Sequence, residues 1–253
     1  MIQYLLKSAD FSGLFKFISP SFFKVVSPKV VFQIASEIRR NQSDVKAWER
    51  IQTQLSQNLE KAGLDVSLGA SADRVQGAKG SSPVSLTAQE LGHKTLELFF
   101  FQILTQDVWV VDLRTAAFER THGSVLWRPK SYYFKLSPEF LEGVRSLYRG
   151  FYTGDDALFD RALKMLKMDP ARDSFKKHFG LGDQTSVAFK LKVFQDTFTE
   201  IFDACAKAKN TLPGDFFVLG VMLVALYERL ETLDVMFNVR SCFDSVMQRK
   251  EIS

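Results

Sequence analysis

The chain is short of the residues that cross-link small proteins. Its 253 residues include two cysteines, Cys205 and Cys242, which excludes a disulfide framework and suits a reducing compartment. The uncharged run from Phe216 to Tyr227 holds twelve residues, against the roughly 20 that a membrane-spanning helix needs, so it reads as a core helix. The apolar N-terminal stretch is cut by Lys16, Pro20, Lys24 and Pro28, and residue 2 is Ile. Neither a secretory leader nor N-terminal myristoylation is expected from that start.

Several chemical signatures are missing as well. Gly77 and Gly80 flank Lys79, but the spacing of a phosphate-binding loop is absent, which removes nucleotide binding there. No Gly-x-Ser-x-Gly, dinucleotide-binding glycine pattern or Cys-x-x-Cys occurs, so the common routes to nucleophilic, hydride-transfer and thiol chemistry have no footing. There is neither an internal repeat nor a sustained heptad, which excludes a solenoid or a coiled coil. What remains is an ordinary globular composition, 46% apolar and 25% charged, long enough to bury roughly 70 to 75% of its extended-chain surface without a metal staple.

Charge is placed unevenly. The excess of 33 basic over 29 acidic residues lies wholly within residues 1–50, where Lys7, Lys16, Lys24, Lys29, Arg39, Arg40, Lys46 and Arg50 face Asp10, Glu37, Asp44 and Glu49. The rest is neutral and carries no recognition-helix or sheet-aromatic motif, so no nucleic acid is expected as a partner. Between Tyr4 and Phe32 the lysines alternate with Phe15, Phe17, Phe22, Phe23 and other large apolar residues. Aromatic rings beside lysines suit an interfacial element on anionic lipid, and equally an arm that docks on a protein partner. Lys7, Phe15, Lys16, Phe17, Phe22, Phe23, Lys24 and Lys29 are the candidate contact residues. The competing expectation is that these rings pack onto the main body.

The periodicities point to an all-α orthogonal multi-helix bundle of about eight helices. Ser27-Pro28 opens a helix toward Arg40, and Ser43 is placed to cap the next, in which Trp48, Ile51, Leu55 and Leu59 recur at helical spacing before Gly63. Residues 1–66 thus form an arm and a helical hairpin, 67–86 a Gly/Ser linker, and 87–253 the helical core. Thr87-Ala88-Gln89-Glu90 has capping-box spacing. Val108-Trp109-Val110-Val111 and Val125-Leu126-Trp127 are β-branched and aromatic, so a small hairpin is expected within 108–128. From Ser137 onward helical signals dominate.

Chemistry-bearing candidates are few. Glu90 with His93, and Glu119 with His122, repeat a Glu-x-x-His spacing that di-metal carboxylate bundles use, with Glu200, Glu228 and Glu231 as further ligand candidates. Glu90 already has a capping role, and 115–122 reads poorly as a helix. Arg145 and Arg149, four apart, share a face that suits a phosphate or a carboxylate and equally suits salt bridges. His178, between Lys176 and Lys177, reads as a cation at a helix end. The 24 phenylalanines need a core, an interface or an apolar ligand cavity. The composite expectation is a non-enzymatic cytoplasmic adaptor or scaffold, peripheral at the inner face of a membrane or bound to a protein, with no cofactor. The alternative is a helical enzyme or carrier for an apolar small-molecule ligand, with a di-metal centre at the Glu/His pairs.

Overall fold

The structure, a computed structural model, describes residues 20–69, 86–120, 124–179 and 186–252. Within them it is a mostly helical fold with minor β structure: ten α-helices and three small sheets.

After a single turn of helix, α1 (Phe22–Val25), come α2 (Pro28–Ser43) and α3 (Val45–Lys61). Pro28 occupies the first turn of α2, where its missing N–H is no loss. The cap of α3 is Asp44 and not Ser43: Asp44 Oδ1 accepts from Ala47 N at 3.0 Å. Ser43 instead ends α2, its hydroxyl donating to Arg40 O. Gly63, at φ +61°, makes the left-handed stop that follows α3.

Strand β1 (Val66–Leu68) runs parallel to β4 (Val125–Trp127), which pairs on its other side with antiparallel β3 (Phe118–Arg120). The hairpin within 108–128 is therefore β3–β4. Strand β2 (Val108–Val110) pairs elsewhere, with β5 (Tyr133–Lys135), Trp109 opposite Phe134. Because β1 holds Ser67 and Leu68, the sheet takes up the first residues of the expected linker, and 70–85 lie outside the described residues.

Helix α4 (Ala88–Thr105) sits at the centre, with Leu98, Phe99, Phe100, Phe101 and Ile103 all buried. Its capping box forms as the spacing predicts: Glu90 N donates to Thr87 Oγ1, and Thr87 N donates to Glu90 Oε2. Those hydrogen bonds hold the Glu90 carboxyl below its ordinary range. Helices α5 (Pro138–Thr153), α6 (Asp156–Met165), α7 (Arg172–Phe179), α8 (Leu191–Lys207), α9 (Asp215–Glu231) and α10 (Val239–Ile252) complete the body, with a two-residue ladder, β6 (Val187–Ala188) and β7 (Met236–Phe237), between them. The close approach of α5 and α6 depends on Gly150, where an added Cβ would lie 2.5 Å from Phe159 N.

One apolar core unites all of this, from Phe22 and Trp48 through Phe100 to Phe243. The α2–α3 hairpin docks on it through Trp48 stacked on Tyr133 at 5.8 Å, Asn41 Nδ2 donating to Tyr133 O, and Asn58 Nδ2 donating to Gln106 Oε1.

Candidate functional site

The described part of the basic arm splits into an anchored side and an exposed side. Phe22, Val25 and Val26 are buried. The Phe22 ring meets Phe202 at 5.3 Å and Phe217 at 5.8 Å, and Leu212 N donates to Val25 O. Burying one such ring contributes about 2 kcal/mol, so Phe22 belongs to the core and is corrected as a contact residue. The physical reason is helical spacing, which turns Phe22, Val25 and Val26 onto one side of a single turn. Phe23 keeps 41% of its surface exposed, Lys29 faces solvent, and Lys24 pairs with Asp203 at 3.1 Å. Lys7, Phe15, Lys16 and Phe17 lie outside the described residues.

The Glu/His candidates are held in separate tasks. Glu90 is committed to its cap. His93 approaches Gln89 at 3.2 Å and lies beside the Phe237 ring. Glu119 is on β3, not on a helix, and pairs with Arg128 at 3.1 Å. His122 lies outside the described residues. The further carboxylates are engaged too. Glu228 accepts from Thr115 N, Glu231 from Leu191 N, and Glu200 pairs with Lys177. Among the described residues no group of three or more His, Cys, Asp or Glu side chains is arranged to hold a metal ion.

Arg145 closes the C-terminal end of α4. Its Nε donates to Ile103 O, and its Nη2 donates to Gln106 O at 2.9 Å and to Asp107 Oδ1 at 3.0 Å. A cation is favourable there because the last carbonyls of a helix have no partner within it. Arg249, on α10, does the same for α3, donating from Nη1 to the carbonyls of Ala62 and Gly63. Between these two capped ends lies a cleft of about 370 Å³. Leu64, Phe101, Leu104 and Val246 form its apolar lining, while Lys61, Arg145, Arg249 and Asp107 bring charge. Arg149, the other anion-binding candidate, does not line it, and its Nε is buried with no hydrogen-bond partner among the described residues.

A second, much smaller cavity of about 30 Å³ is walled by aromatic rings, including Phe99, Phe100, Tyr148, Tyr152, Phe179 and Tyr227, with His178 among them. That volume suits about one or two water molecules and is too small for a substrate. His178 differs from its expectation as a helix-end cation. Its ring lies 4.8 Å from Phe198 and stacks on Tyr227 at 6.1 Å. Burial pushes the imidazole pKa down to about 4, so the group is neutral near pH 7. The signal was present in the spacing: Phe175, three residues earlier, shares the helical face of residue 178, and the flanking lysines pointed the reading the other way. Burial also raises the phenols of Tyr148, Tyr152 and Tyr227.

Asp112 is the other polar centre. Almost fully buried, it binds Arg114 Nε at 2.6 Å and Nη2 at 3.0 Å, and accepts from Lys130 N. Its main-chain carbonyl accepts from Trp127 Nε1. These bonds tie the loop after β2 to β4 and to the approach to β5. Cys205 and Cys242 are buried, and burial raises their thiols to about 11 and about 12, which leaves no thiolate for nucleophilic work near neutral pH.

No known family model matches the chain, and no curated protein is similar to it. Among the described residues no helix is long and apolar enough to cross a membrane.

Proposed function

We propose that the protein is a non-enzymatic adaptor or scaffold domain that meets an anionic membrane surface from the cytoplasmic side through its basic, Phe-rich N-terminal segment. One observation carries this reading: the whole net charge of +4 falls in residues 1–50. Phe22, Val25 and Val26 root the segment on α8 and α9, which leaves Phe23 and Lys29 on the surface. A protein partner with an acidic face would use the same cations.

Sedimentation of the full chain with vesicles containing phosphatidylserine tests the reading. Lys7, Lys16 and Lys29 are changed together to Ala, leaving the Lys24–Asp203 pair and the buried anchor intact. Each lysine near an anionic surface contributes about 1 kcal/mol, so the triple variant should bind about a hundredfold more weakly while its melting temperature stays put. Equal sedimentation of the two proteins discards the membrane, as does failure of the unaltered protein to sediment at low salt.

A further inference from the structure

We propose that the cleft between the C-terminal ends of α3 and α4 binds a small carboxylate carried on an apolar body, such as a medium-chain fatty acid. At about 370 Å³ it falls within the range of small-molecule sites, about 300 to 1,000 Å³. Its chemistry is divided: Leu64, Phe101, Leu104 and Val246 offer apolar surface, and the charged groups gather around them.

The charges decide the class of ligand. Arg249 is spent, since its Nη1 serves the end of α3 and its Nη2 lies 3.7 Å from Glu97 Oε1. Arg145 is only partly used. Its Nε and Nη2 hold the end of α4 and Asp107, while Nη1 makes no hydrogen bond with a described residue. Lys61, exposed in the last turn of α3, has no ion pair among the described residues. Lys61 therefore brings a positive charge that no described carboxylate pairs, and Arg145 keeps one donor nitrogen over. The helix ends, each worth about half a negative charge, are already met by hydrogen bonds from Arg145 and Arg249. A neutral apolar molecule would gain nothing from these donors, whereas a carboxylate would pair with Lys61 Nζ and accept from Arg145 Nη1. A fatty acid places that carboxylate at the rim and its chain against Leu64, Phe101, Leu104 and Val246.

Calorimetric titration of the full chain with octanoate tests the assignment, with octan-1-ol and two variants as the other arms. Octanoate should bind saturably at one site, and octanol about two- to fivefold more weakly, the effect of a single partly exposed ion pair. Lys61→Glu should weaken octanoate about tenfold. Ala62→Trp, placed at the half-buried lining position Ala62, should abolish binding with the thermal transition retained. Should the tryptophan variant fail to fold, Lys61→Glu decides alone. The proposal is overturned by the absence of saturable octanoate binding, by octanol binding equally well, or by Lys61→Glu binding octanoate as the unaltered protein does.

Discussion

Two helices of equal length make opposite use of their residues. Helix α9, Asp215–Glu231, buries thirteen of its seventeen residues, and α3, Val45–Lys61, buries three of its seventeen, Trp48, Leu55 and Leu59. The first is surrounded by other helices; the second lies along the body and touches it with one stripe. A helix enclosed on all sides is stabilised by tertiary packing whatever its local propensity, whereas a one-sided helix relies more on its caps and its narrow apolar face. The difference also separates roles. The enclosed helices form the centre of the core, and the peripheral pair α2–α3 presents Lys29 and Lys61 to solvent.

Truncation of a large buried ring against truncation of a stripe residue is the severest test of that contrast. Phe100 sits on α4 with its ring 5.6 Å from Phe243 and 5.7 Å from Tyr152. Phe100→Ala should cost about 4 kcal/mol, and Leu55→Ala in α3 about 2 kcal/mol, in equilibrium urea unfolding. Equal losses would mean that the α2–α3 hairpin is as deeply integrated as the centre, and the distinction would fall.

The next effect is specific to the enclosed part. His178 has a folded pKa near 4 because of burial and about 6.5 in an unfolded chain. The unfolded state therefore takes up this proton first as pH falls. Stability should be fully present above about pH 6.5, decline between there and about pH 4, and level off below. Solvent reaching the half-buried ring keeps the slope to about 1 kcal/mol per pH unit or less. His178→Phe should flatten that part of the curve relative to the unaltered protein. Identical pH profiles for the two would show that the ring is solvated in the folded state.

The sequence revealed the helices better than it revealed the meetings between them. The capping box at Thr87, the Pro28 start and the Gly63 stop are local devices, and each was readable from a few adjacent residues. The helical class followed from three- and four-residue spacings. The partner of Val108–Val110 was not readable, because Tyr133–Lys135 lies over twenty residues away and three residues are too few to show a period. The same holds for the cleft: Lys61, Arg145 and Arg249 come from three helices, and no spacing along the chain relates them. Arg145 was legible as an anion-seeking side chain, but its duty at the end of α4 depends on tertiary contact. Phe22 shows the reverse error, since a basic aromatic texture describes an interface and a buried anchor equally well.

The smallest effect sharpens the contrast most finely, because it compares two side-chain N-caps in different settings. Asp44 caps α3 by accepting from Ala47 N at 3.0 Å, and Thr87 caps α4 by accepting from Glu90 N at 3.2 Å. Loss of either cap to alanine should cost about 1 kcal/mol. In α4, eleven buried residues tie the helix to everything around it, so Thr87→Ala should lower the global unfolding free energy and leave local amide exchange little changed. In α3 the first turn is exposed apart from Trp48 and the half-buried Ala47, so Asp44→Ala should speed exchange at residues 47–50 several-fold with a smaller change in global stability. Global losses of the same size, with no local difference in exchange, would mean that the one-sided helix melts only with the whole protein.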